Sequence, residues 1–189
     1  MNQMTQPSMT SARAPFIYRL DTEMQALAEI ASGLINPASG VANDYLNHFN
    51  EILLLIENLP VLLPEMVDEL TDWSPKSYQD YFRDSPLPGS EAAAAIYVRL
   101  DGDFRRRFEA VIDDINKVAL ESIAIISKHR DAMGDICPED VEMFCASASS
   151  QMRMKLAEAE RLVNHGLNAP DEAPQDMADR LLDASKLYA

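Results

Sequence analysis

Glycine is scarce in this chain, six residues in 189, and cysteine scarcer at two. With so few glycines, and with Val, Ile and Thr nowhere gathered into alternating runs, a sheet protein is disfavoured. Cys137 and Cys145 lie eight residues apart on one predicted helix, about 12 Å at helical rise. That is too far for a disulfide, and two such thiols suit a reducing, cytoplasmic setting. No apolar run reaches the length of a transmembrane helix. Residues 1–16 lack the apolar segment of a secretory signal, so none is expected. Basic residues are also few: 16 against 31 acids, a formal net charge of −15. Such a field repels phosphate backbones and anionic lipid, so neither nucleic acid nor membrane is expected as a partner, whereas a basic protein would suit it. There is no glycine-rich phosphate loop and no G-x-S-x-G elbow, hence no predicted cofactor and no predicted nucleophile.

What the chain does have is helical periodicity. Hydrophobic residues make up 47% of it, enough for a packed core. Residues 1–15, polar with two prolines, are expected to form a disordered tail, and 16–189 one helical domain. A first helix is expected from Thr22, with Gln25 completing a capping box, and with Met24, Leu27, Ala28, Ala31 and Leu34 on its apolar face. Asn36-Pro37 ends it. Ser39 is the expected N-cap of a second helix to Leu59, whose apolar face runs Ala42, Tyr45, Leu46, Phe49, Ile52, Leu53, Ile56 and Leu59. Five prolines then make an elbow of short pieces over residues 60–90. Pro64 opens one piece, and Ser74-Pro75 would cap and start another. Ser90 begins a long stretch to about Arg130 that Gly102 is placed to split. Pro138 opens a second long helix, stopped by Gly166, and a short last helix is expected over residues 174–187. The sum is an all-α bundle of six to eight helices, two of them long.

The polar run from Asn43 to Glu51 is the most suggestive segment. Asp44, His48 and Glu51, at spacings of four and three, share one side of a helix, where two carboxylates and an imidazole can hold a metal. Asn43, Asn47 and Glu51 fall at i, i+4 and i+8, which resembles the Asn/Ser/Glu magnesium triad of terpene cyclases over these nine residues. Here Asn47 stands in place of the hydroxyl residue, and the only Asp-Asp pair, Asp113-Asp114, lies downstream rather than upstream. Glu65-Met66-Val67-Asp68 is an E-x-x-D that resembles half of the magnesium-binding pattern of all-α nucleotide pyrophosphohydrolases, which implies a triphosphate site. Apolar spacing around Ile30, Leu34 and Val41 approaches a helix-turn-helix. The would-be recognition helix, however, carries Asp44 and Glu51 and no Lys or Arg, the wrong charge for lying against phosphates.

Two other features bear on function. Residues 73–83 carry the only Trp and four of the thirteen aromatics, beside prolines, so Trp73, Tyr78, Tyr81, Phe82 and Arg83 are either interface anchors or the plug at one end of the bundle. Arg105-Arg106-Arg107 is the only basic triplet, expected to offset the acids around it. The ten methionines would suit an apolar ligand between helices as well as they suit core filling. The expected function is that of a non-catalytic, intracellular helical protein working through contact with a protein partner or a second copy of itself. The alternative is a Mg- or Mn-type hydrolase or metal-binding bundle using Asp44, His48, Glu51, Glu65 and Asp68.

Overall fold

The computed structural model describes residues 21–62, 65–133 and 138–168. The expected tail, Cys137 and the expected last helix lie outside these. Among the described residues the chain is all-α: seven α-helices and no strand, with one isolated antiparallel bridge, Ile35 to Ala42. The helices are α1 Thr22–Ile30, α2 Asp44–Leu62, α3 Glu65–Asp72, α4 Tyr78–Arg83, α5 Ser90–Tyr97, α6 Gly102–Met133 and α7 Pro138–His165.

The two long helices, α6 and α7, pair antiparallel, and Lys155 Nζ meets Asp114 Oδ2 across them at 2.7 Å. An apolar stripe on each faces the other: Phe104, Phe108, Ile115 and Ile126 on α6, with Val141, Cys145, Met152 and Val163 on α7, are all buried. α2 lies along α7 in the opposite direction. Arg153 grips Glu57 with both Nε and Nη2, at 2.7 and 2.8 Å, and at the other end Asn164 accepts from Asn36 at 3.0 Å and Asn43 at 3.4 Å. The expected α2 face is the centre of the core: Phe49, Ile52, Ile56 and Leu59 are fully buried. The short helices close one side of this three-helix frame. α4 packs on α5, α5 on α1, and α3 on α2 and α6.

Several expected boundaries move, most of them at helix starts where another side chain takes the cap. Asp21, not Thr22, caps α1, accepting from Met24 N at 2.9 Å. α2 starts at Asp44 rather than after Ser39. Residues 36–41 fold on themselves instead: Asn36 Oδ1 takes the amide of Ala38, Ser39 Oγ takes that of Val41, and Gly40 sits at φ 78°. Pro60 does not end α2, which runs on to Leu62. So late in the helix, proline forfeits one backbone bond, to the Ile56 carbonyl. Ser77, not Ser74, caps α4, taking the amide of Asp80 at 3.1 Å. Ser90 is no cap either: its hydroxyl donates back to the Leu87 carbonyl at 2.8 Å, and Gly89 holds the cap position. The long stretch does split. Asp101 Oδ1 caps α6 by accepting from Asp103 N and Phe104 N.

Candidate functional site

The polar run on α2 comes apart in three dimensions. Asn43 precedes the helix, so Asn43, Asn47 and Glu51 do not share a helical face. Asp44 accepts from Asn47 Nδ2 at 3.1 Å. Glu51 is 72% exposed, and its Oε2 lies 3.9 Å from Nδ1 of the buried His48, beyond hydrogen-bond reach. Asp68 is exposed on α3, and the Glu65 side chain lies outside the described residues. Among the described residues no three His, Cys, Asp or Glu side chains converge as metal ligands.

His48 instead clamps the 73–83 segment to α2. Its Nε2 lies 2.9 Å from the Ser74 carbonyl oxygen. A carbonyl only accepts, so this nitrogen carries the proton. Trp73 Nε1 returns a bond to the His48 carbonyl at 3.1 Å, and the two rings stack with centroids 4.9 Å apart at 18°. Burial lowers the imidazole pKa, against weaker upward pulls from the Ser74 bond and Glu51. The sign follows directly. The unfolded chain takes up the proton first, so the ring's contribution to stability is whole above the ordinary value of 6.5 and is lost as pH falls below it toward the folded value. Protonated imidazole quenches a stacked indole. Fluorescence of Trp73, the only tryptophan, is therefore expected to fall with a midpoint below 6.5, and His48→Gln should abolish the step. A midpoint at or above the ordinary value would contradict the clamp.

The aromatic segment is mostly plug. Tyr78 and Phe82 are 2% and 0% exposed, which removes both from any surface the fold offers a partner. Tyr78 stacks on Tyr97 at 4.2 Å, its hydroxyl accepts from Ala42 N at 3.0 Å, and Phe82 packs against Tyr78 and Tyr81. Trp73 and Tyr81 are half-buried, and Arg83 is exposed in an ion pair with Asp80. Cys145 is buried, its thiol pushed up to about 11 by desolvation. That makes it a packing residue rather than a nucleophile.

Two concavities that the sequence did not suggest adjoin this plug. One is an open groove of about 620 Å³ between α1 and α5, lined by Leu27, Ile30, Pro86, Leu87, Ala92 and Ala95 together with Ser85, Gly89, Ser90 and Glu91. The helices run antiparallel here. Gly89 abuts Ile30 at one end, and at the other Arg99 Nη2 pairs with Glu23 at 2.7 Å. Ile30 is 65% exposed and Leu87 37%. The one hint in the sequence was that Ile30 sits at the edge of the α1 stripe rather than on it. The second concavity, about 290 Å³, lies behind residues 75–79, against α6. Its lining includes Tyr45, Tyr78 and Tyr97, Lys76, and Glu109, Asp113 and Asn116 of α6.

No helix among the described residues is long and apolar enough to cross a membrane. No family model matches the chain, and no curated protein or solved structure matches it either.

Proposed function

We propose that this chain is a non-catalytic interaction protein that receives a basic, amphipathic helix of a protein partner in the groove between α1 and α5. The observation that carries the reading is the exposed Ile30–Leu87 patch. An isoleucine left 65% exposed in the lining of this groove is surface that water disfavours and that a partner's apolar face would cover. Two antiparallel helices with small residues, Ala92 and Ala95, between them make a trough of the kind that takes a third helix by its i, i+3, i+4 and i+7 side chains. Val98, the C-cap of α5, is a further exposed apolar side chain at 48%.

Charge selects the partner. Glu91 lines the groove and Glu29 is exposed on α1, while Glu23 is already paired with Arg99. At −15 overall, a second copy of the chain is repelled and a helix with a lysine- or arginine-rich face is attracted.

The test uses a labelled leucine–lysine amphipathic peptide and its leucine–glutamate counterpart, titrated into the full chain at about 0.15 M ionic strength. The basic peptide should bind and the acidic one should not. Ile30→Asp should weaken binding at least about tenfold, roughly 1.4 kcal/mol, with little change in melting temperature, since Ile30 is 65% exposed. Leu87→Asp should weaken it likewise but also lower the melting temperature, since Leu87 is only 37% exposed. Equal binding of both peptides, or affinity untouched by the two variants, would sink the reading. A concentration-dependent dimer that Ile30→Asp dissolves would replace the partner with a second copy.

A further inference from the structure

The groove between α1 and α5 is joined to a stretch of chain unlike the rest. Residues 1–20, which precede the described residues, contain no Asp or Glu, so all 31 acids of the protein lie beyond them. Their charged side chains are two arginines, Arg13 and Arg19, and around Arg19 stand Phe16, Ile17, Tyr18 and Leu20. The stretch enters α1 at Asp21, whose backbone is extended at φ −70° and ψ 174°. Extended backbone at the cap turns the chain off the helix axis. It does so at the end of the groove where Arg99 pairs with Glu23. From there to Ile30 is about 12 Å at helical rise. Eight extended residues, 13–20, span about 26 Å, which is ample for a turn and a return over the groove.

We propose that residues 13–20 occupy this groove in cis, so that an incoming partner helix must displace them; this rests on the reading of the groove as a docking site for a basic, amphipathic segment. Residues 13–20 have the chemistry which that reading demands. Phe16, Ile17 and Leu20 match the exposed surface of Ile30 and Leu87. The two arginines answer Glu29 and Glu91, exposed at the Ile30 end of the groove, whereas Glu23 at the other end already has Arg99. Tethering favours this occupant over any free one. A segment joined to the groove's own wall is present at an effective concentration on the order of millimolar. A second copy of the chain is more dilute and is opposed by the net charge of −15. A partner must therefore bring more apolar surface or more positive charge than residues 13–20 supply, which makes the groove selective for strongly basic helices.

The test compares three full-length ¹⁵N-labelled proteins: the parent, the double variant Phe16→Asp/Ile17→Asp, and Ser8→Asp, which adds negative charge outside residues 13–20. Each is titrated with the leucine–lysine peptide at about 0.15 M ionic strength. The double variant is expected to move the backbone amides of Ile30, Gly89 and Ala92 and to leave those of α2, α6 and α7 in place. It should also bind the peptide at least about tenfold more tightly than the parent. Ser8→Asp should do neither. If the groove amides move but the peptide binds no form, occupancy by residues 13–20 stands and the partner reading alone fails. Groove amides that stay where they were, or an affinity equal in parent and double variant, overturn the proposal, and the partner reading survives if the peptide still binds. Shifts that fade on dilution overturn it in favour of a second copy's residues 13–20, and equal shifts in Ser8→Asp overturn it as an effect of charge alone.

Discussion

Replacing Phe82 with alanine is expected to cost roughly 3–5 kcal/mol, the range for a fully buried phenylalanine. In a chain of this size that corresponds to a fall in melting temperature of roughly 6–20 °C. Phe82 has no exposed surface, and α4 has only six residues, Tyr78–Arg83, too few to hold a helix by its own hydrogen bonds. Its order comes from what it covers. Phe82 holds the underside of Tyr78 and Tyr81, Tyr78 in turn carries the Tyr97 stack and the Ala42 amide, and Tyr45 reaches both Tyr78 and Tyr81 edge-on. A hole at Phe82 therefore loosens the joint between α2, α4 and α5 rather than one contact. Urea unfolding would show it as a lower midpoint at an unchanged slope. Arg83→Ala, one residue on, removes an exposed ion pair with Asp80 and should leave the midpoint where it was. A loss under about 1 kcal/mol for Phe82→Ala would mean the segment does not plug the bundle.

The contrast between adjacent residues also explains how far the sequence could be read. Apolar periodicity located α2, α6 and α7 because a long helix buries one face regardless of its neighbours, and nearly every stripe residue expected on them is buried. Caps were less legible. Ser39, Ser74 and Ser90 are sound caps locally, but the Ser39 hydroxyl serves its own turn, that of Ser90 donates back to Leu87, and α4 starts three residues beyond Ser74, where Ser77 takes the Asp80 amide. At His48, helical spacing fixes which residues share a side but not what packs there. Trp73 arrives from 25 residues away and covers the imidazole, while Glu51, three positions on, stays in water. The groove and the second concavity were invisible for the same reason. Leu27 and Leu87, or Tyr45 and Asp113, are brought together only by how α1 meets α5 and how residues 75–79 cross α6, and no local pattern encodes that meeting.

Gly89→Ala is expected to cost about as much as Phe82→Ala, roughly 3–5 kcal/mol, from a change of one methyl group. Two costs combine. Gly89 sits at φ 86°, where a side chain crowds its own carbonyl. A Cβ there would also lie 2.8 Å from the Ile30 carbonyl oxygen and 3.0 Å from Ala31 Cα. Both neighbours are backbone, so no rotamer can relieve the contact, and α1 must move away from α5. That movement opens the groove at the end where Ile30 and Leu87 meet, so stability and peptide binding should fall together. Ile30→Asp should instead lose binding while keeping its melting temperature, and this difference separates a residue that builds the groove from one that only lines it. Gly33→Ala supplies the control, because a Cβ at Gly33 would meet nothing within 4 Å and should change stability by less than about 1 kcal/mol. If Gly89→Ala melts like the parent and still binds the basic peptide, the close approach of α1 to α5 is wrong and the groove with it.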